Sequence, residues 1–218
     1  MVESRISVQL EILQRGLGEL KIAYSAEQFV LFRKYLEHLF FRRGRLNLIS
    51  RNDYQHIAAR HFLESLLALP YLPRQRFEAC DVGSGAGFPG IPLRIARPEM
   101  ALTLVESKQK KADFLRTVVS DLGLANVKVL AVRAETMRGR SFDVILSRAA
   151  GSIRDLLVIT APLMKADGLM VFYKGHKGQG EIAQARSLFG KYNLKSVRIE
   201  RPRSPVESRP VSLVLLSR

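Results

Sequence analysis

The sequence predicts an α/β fold: a doubly wound, mostly parallel sheet of seven strands with an antiparallel last strand, preceded by an N-terminal helical extension. Two observations carry this. From Phe77 onward, short apolar runs alternate with longer amphipathic ones, the pattern of βαβ units. The last two apolar runs are separated only by the basic, proline-containing turn Arg201-Pro202-Arg203-Ser204-Pro205. That is too short for a crossover helix, so those two strands should pair antiparallel.

Residues 1–75 read as a helical cap and residues 76–218 as the sheet domain, together one compact unit. In the cap, Ile6, Leu10, Leu13, Leu17 and Leu20 recur at helical spacing over residues 5–20. A second helix should start after Ser25, with Gln28 completing a capping box. Its apolar positions include Phe29, Phe32, Leu36, Leu39 and Phe40, and it ends in the basic turn Arg42-Arg43-Gly44-Arg45. A third helical stretch is expected from Asp53 to Leu69, before Pro70 and Pro73 break the chain. The strands are expected at 77–82, 101–106, 127–132, 142–147, 168–174, 194–200 and 210–216. Helices are expected at 90–97, 108–123, 153–165 and 178–190.

The composition narrows the class. A hydrophobic fraction of 47% and a charged fraction of 25% are those of a globular protein, not a disordered one. With 35 Lys and Arg against 20 Asp and Glu, the net charge is +15, which favours polyanionic partners such as nucleic acid. The single cysteine, Cys80, excludes a disulfide framework or a cysteine zinc cluster within one chain. Neither a signal peptide nor an apolar run long enough to span a membrane is evident, so the expected location is cytoplasmic.

The chemistry concentrates where strands end. The first strand runs into Asp81-Val82-Gly83-Ser84-Gly85-Ala86-Gly87-Phe88-Pro89-Gly90. Glycines allow a tight turn and close approach of a ligand, and the following helix offers free N–H groups. A dinucleotide fingerprint would need glycine at position 88, where Phe88 stands. The spacing of Gly83, Gly85 and Gly87 instead resembles the S-adenosylmethionine-binding turn of Rossmann-like methyltransferases. Glu106, which closes the second strand before Ser107, stands about 20 residues beyond Gly83, where an acidic side chain accepts ribose hydroxyls.

Ala134-Glu135 follows the third strand, and either lines the adenine edge or is plain loop. Arg148 ends the fourth strand, where such enzymes position the acceptor; the alternative is a salt bridge to a nearby carboxylate. Arg60-His61 and Lys174-Gly175-His176-Lys177 either meet phosphates or are solvated basic segments, while His38 and His56 read as surface or packing residues. Ser147-Arg148-Ala149-Ala150 stands where amino-group methyltransferases carry an Asn/Asp-Pro-Pro-aromatic run. Cys80 lies inside a strand, poorly placed for a cytosine-C5 nucleophile. No residue stands out as a base, which suits an acceptor that needs none; guanine N7 is one, with its free lone pair.

The chain resembles the RsmG (glucose-inhibited division protein B) family of bacterial 16S rRNA guanine-N7 methyltransferases, from about residue 25 to the end. The resemblance rests on Leu46-Asn47-Leu48-Ile49-Ser50, Arg60-His61-Phe62-Leu63-Glu64-Ser65, Asp81 to Leu93, Val105-Glu106-Ser107, Ser147-Arg148-Ala149 and Tyr173-Lys174-Gly175. Gly87-Phe88-Pro89-Gly90-Ile91-Pro92 is far more specific than a bare glycine turn. Ile49, where many members have Thr, and Ala150, in place of a larger residue, depart from the pattern outside the cofactor motif.

The resemblance implies a class I fold and S-adenosylmethionine as cofactor. It implies methylation of N7 of one guanosine in the decoding-region loop of 16S rRNA, with the small ribosomal subunit or its assembly intermediate as partner. By motif, Gly83, Gly85, Gly87 and Phe88 would meet the cofactor, Glu106 and Ser107 the ribose side, and Ala134 and Glu135 the adenine side. Arg148, also a candidate cofactor contact, would sit beside the methyl and the base, and no residue is singled out as catalytic. Arg42, Arg43, Arg45, Arg60, His61, Lys174, Lys177, Arg201 and Arg203 are the candidate RNA contacts, and a monomer is expected. A methyltransferase acting on another substrate, and a non-catalytic RNA-binding module, remain as alternatives.

Overall fold

The computed structural model describes residues 2–44, 46–137, 139–148, 151–175, 178–203 and 211–218. Helix α1 (Val2–Glu19) buries Leu13 and Leu17 at helical spacing. Helix α2 (Ala26–Phe41) begins as its sequence predicts: Ser25 accepts from the Gln28 N–H, and the Gln28 side chain reaches back to the Ser25 N–H. The same Gln28 side chain donates to the Ile95 carbonyl at 2.8 Å, which ties the cap to the sheet domain.

The third helical stretch is not the regular helix expected from Asp53 to Leu69. It runs as a 3-10 segment Arg51–His56, a π turn Ala58–Leu63 and the short helix α3 (Glu64–Leu66), followed by a 3-10 turn Leu69–Tyr71. A buried side chain from α1 is the physical reason. Gln9 accepts from the Ala58 N–H at 3.0 Å and donates to the Gln55 carbonyl at 3.0 Å, so it inserts into the helical ladder. Close approach of α1 makes this reach feasible: a Cβ on Gly16 would lie 2.1 Å from Leu63 Cδ1.

Beyond the cap the chain alternates as expected: β1 (Glu78–Val82), α4 (Gly90–Ala96), β2 (Ala101–Val105), α5 (Gln109–Asp121), β3 (Val127–Leu130), β4 (Phe142–Ser147) and α6 (Ile153–Thr160). Then come β5 (Met164–Lys174), α7 (Gly178–Ala185), α8 (Ser187–Lys191), β6 (Ser196–Glu200) and β7 (Ser212–Ser217). Several element ends differ from expectation by one or two residues, the helix expected at 178–190 divides into α7 and α8, and the largest shift lies between α6 and β5. Pro162 closes α6 into the 3-10 turn Ala161–Leu163. β5 then starts at Met164, with a register shift against β4 between Phe142 and Val144.

Among the described residues the seven strands form one sheet in the order β3-β2-β1-β4-β5-β7-β6. The first five pair parallel, and β7 runs antiparallel to both β5 and β6, as the short final connection requires. Strand order reverses between β1 and β4, which makes their carboxyl ends the ligand crevice of such a sheet. The cap shares its core with one face of this sheet: Leu17, Phe32, Tyr35 and Phe62 belong to the same buried cluster as Ile91, Leu104 and Leu146. Each such apolar side chain contributes roughly 1.5–3 kcal/mol when fully buried. No described helix is long and apolar enough to cross a membrane.

Candidate active site at the switch point

The turn after β1 borders one side of the crevice, and Arg148, after β4, borders the other. Gly83, Gly85 and Gly87 have φ of 75°, 56° and 105°, in the positive range that glycine adopts most readily. The Gly83 and Ser84 N–H groups both donate to the Val105 carbonyl, at 2.9 and 3.1 Å, which folds the turn against the end of β2. A Cβ on Gly85 would meet nothing nearer than the Gly83 carbonyl at 3.8 Å, so the turn's surface there is open. Gly90 differs: its Cβ would lie 2.8 Å from both Asp81 Oδ2 and Leu104 Cδ2, so that glycine serves helix–strand packing.

Two carboxylates stand at the turn. Glu106 is 7% exposed and accepts from the Gly85 N–H at 3.0 Å and the Lys108 N–H at 2.8 Å. Each contact uses one oxygen, and a carboxylate has about four lone-pair sites, so acceptor capacity remains for hydroxyls. Asp81 is fully buried; Oδ2 accepts from the Gly90 N–H at 3.0 Å, and Oδ1 has no hydrogen-bond partner among the described residues. Burial, reinforced by the neighbouring Glu106 charge, pushes the Asp81 carboxyl up to about 7 against the opposing hydrogen bond from the Gly90 N–H.

This carboxyl gives the first testable expectation. Because its folded pKa lies above the unfolded value, its stabilising contribution is complete below about pH 4 and lost as pH rises towards 7. Asp81→Asn should therefore gain stability relative to the parent across that window, by at most roughly 4 kcal/mol. Denaturant melts at pH 4 and pH 8 check it; a constant difference between the two proteins would contradict it.

Phe88 is buried, and its ring lies 5.3 Å from Tyr35, 5.0 Å from His61 and 5.3 Å from Phe62. The Tyr35 hydroxyl donates to the Ala86 carbonyl at 2.7 Å, so the cap holds the glycine turn from behind. Ala134 is buried in the 3-10 turn after β3, whereas Glu135 and Ser107 are exposed. Cys80 lies wholly inside β1, where burial raises its thiol far from ionisation.

Across the crevice, a cleft of about 260 Å³ is lined by Arg60, His61, Glu64, Arg148, Tyr173 and Lys174, among others. Arg148 Nη2 donates to Glu64 Oε2 at 2.6 Å and to the Arg60 carbonyl, while Nη1 is buried with no partner among the described residues. Arg60 pairs with Asp53 at 2.8 Å, and Lys174 pairs with Glu181 at 2.9 Å. The Tyr173 hydroxyl donates to the Ser65 carbonyl at 2.5 Å, and burial raises it well above its ordinary range.

The structure thus brings Arg60, His61, Arg148 and Lys174 together, with Glu64 and Asp53 among them. In the sequence Asp81 and Glu64 stand only as members of quoted motifs, with no role of their own. The available signal was a buried-side carboxylate three residues after His61, on an otherwise apolar helical face. Arg42 and Arg43 lie elsewhere: Arg42 lines a cleft with Lys110 and Phe114, and Arg43 lines one with Arg5, Arg51 and Tyr54. Arg201 and Arg203 are exposed beyond β6. Arg45, Ala149, Ala150, His176 and Lys177 lie outside the described residues.

The turn and its carboxylates fit S-adenosylmethionine. The open face over Gly85 leaves room for a ligand, Asp81 Oδ1 has no donor among the described residues, and Glu106 retains acceptor capacity. Fold and site together define an S-adenosylmethionine-dependent methyltransferase. Solved structures agree on the fold: M. jannaschii TYW2 in complex with AdoMet superposes with a TM-score of 0.56 at 13% identity, covering 78% of this chain and 76% of that one. A ribosomal protein L11 methylase from Lactobacillus delbrueckii subsp. bulgaricus gives 0.56 at 14%, covering 72% and 77%.

The family model described as "GidB: rRNA small subunit methyltransferase G" matches residues 28–206. "Ribosomal RNA small subunit methyltransferase G" of Laribacter hongkongensis is 39% identical over 175 residues, 80% of this chain and 84% of that protein. The protein of the same description from Lactiplantibacillus plantarum is 31% identical over 217 residues, 95% of this chain and 89% of that protein. The chain belongs to the rRNA small subunit methyltransferase G family.

Proposed function

We propose that this enzyme methylates N7 of a guanosine in the decoding-region loop of 16S rRNA. The observation that carries this reading is Arg148: it stands at the end of β4, across the switch point from the glycine turn, with a buried Nη1 that has no partner among the described residues. A guanidinium is donor-only and suits the O6 acceptor of guanine. S-adenosylmethionine supplies an electrophilic methyl group on a sulfonium. Held by the glycine turn and Glu106, it would supply that methyl to an acceptor such as N7, whose lone pair is free, so no residue of the site has to take a proton.

The residues therefore have to hold and align, not deprotonate. Gly83, Gly85, Asp81 and Glu106 hold the cofactor, Glu106 through ribose hydroxyls, with Ser107, Ala134 and Glu135 on the same side. Arg60 and Lys174 stand beside the cleft for the RNA backbone. Residues 1–75 act with residues 76–218 as one unit, a reading supported by their shared core. The enzyme works as a cytoplasmic monomer on the small ribosomal subunit or its assembly intermediate.

Labelled methyl transfer to small subunits from cells lacking the enzyme tests this reading. Incorporation into rRNA, and none into free guanosine, is expected. Efficient labelling of free guanosine or of ribosomal protein would favour a different substrate. The basic surface gives a second expectation. Paired charge reversal of Arg42 and Arg43 should weaken RNA binding and reduce its dependence on log salt by about 1.5, roughly 0.7–0.9 per lost phosphate contact. An unchanged salt slope would remove these two residues from the RNA path.

A further inference from the structure

We propose that Glu64 is the base-selecting residue: its carboxylate reads N1–H and N2–H2 of the target guanine while Arg148 donates to O6. This rests on the reading of the acceptor as guanine N7. The two side chains are already paired at 2.6 Å in the cleft at the end of β4, and Arg148 is further fixed by donating to the Arg60 carbonyl. Glu64 is 6% exposed, yet it lines the cleft wall.

The complementarity is chemical. An ionised carboxylate only accepts, and a guanidinium only donates. Along its Watson–Crick edge guanine presents two neighbouring donors, N1–H and N2–H2, followed by the O6 acceptor. Adenine places an acceptor at N1 against the carboxylate. Uracil flanks a single donor with two carbonyls, and cytosine pairs its amino group with an acceptor. A Glu–Arg pair therefore matches guanine alone among the four bases.

The pair also solves a problem particular to methylation at N7. Arginine commonly reads guanine through O6 and N7 together, which would occupy the nucleophile's lone pair. Supplying the second contact through Glu64 lets Arg148 take O6 alone and leaves N7 bare. Unstacked bases of RNA loops are read along these edges, so the recognition suits a base splayed from its loop.

The test uses small subunits reconstituted around 16S rRNA in which the guanosine marked by the parent enzyme is replaced by inosine. Inosine lacks only the 2-amino group. The parent should prefer guanosine by about 100-fold or more in kcat/KM, the loss expected when a buried acceptor is left unpaired. Glu64→Gln should keep S-adenosylmethionine affinity within about threefold while its guanosine-to-inosine ratio falls at least about tenfold below the parent's. A residue that merely braces the cap would lower rate or stability and leave this ratio unchanged; that result overturns the proposal. So does parent enzyme that uses inosine within about threefold of guanosine, a comparison that needs no variant. Label at any atom other than guanine N7 in the parent reaction refutes the underlying reading, and the proposal with it.

Discussion

Gly85→Asn is expected to weaken S-adenosylmethionine binding by at least about 100-fold while changing the melting temperature by only a few degrees. The backbone at Gly85 has φ of 56°, in the left-handed region, which asparagine tolerates better than other side chains. Its Cβ would enter open space, with the Gly83 carbonyl 3.8 Å away as its nearest neighbour. The side chain therefore costs the fold little and fills the face on which the cofactor should lie. Gly90→Ala supplies the contrast. There the new Cβ meets Asp81 and Leu104 at 2.8 Å, so stability falls first. Calorimetric titration and thermal melts separate the two. A Gly85→Asn protein that bound the cofactor normally would place the site elsewhere.

Arg148→Ala is expected to lower turnover at least about 100-fold while leaving cofactor affinity within about threefold. It should also destabilise the protein by about 3 kcal/mol, because the Glu64 side chain, 7% exposed, would keep a buried charge without its partner. Arg148→Lys retains the charge but not the planar fork, so it should recover most of the stability and little of the turnover. Equal losses of turnover and cofactor affinity in both variants would assign Arg148 to the cofactor side. A loss of stability alone would make its pairing with Glu64 purely structural.

Much of the fold is legible in the sequence. The alternation after Phe77 yields the strands because parallel strands covered on both faces are short apolar runs. Ser25 and Gln28 announce the start of α2 because the capping box is local chemistry. The glycine turn and Glu106 are legible for the same reason: backbone conformation and a strand end lie close in sequence. What sequence periodicity misses is side-chain intrusion from afar. Gln9 reaches 49 positions along the chain to Ala58 and turns an expected helix into 3-10 and π segments. That irregular stretch carries Arg60, His61 and Glu64 into the cleft. Glu64 and Arg148 lie 84 positions apart, so their pairing has no local signature. Asp81 reads as part of a motif, and only its burial shows how strongly its carboxyl is perturbed.

The proposed transfer of a methyl group to guanine N7 is tested most directly by a reaction selective for its product. Borohydride reduction followed by aniline breaks RNA chains selectively at N7-methylguanosine. Applied to 16S rRNA after incubation of unmodified small subunits, it should produce one new scission in the decoding-region loop that requires both the protein and the cofactor. Methyl incorporation into the rRNA without that scission would contradict the account.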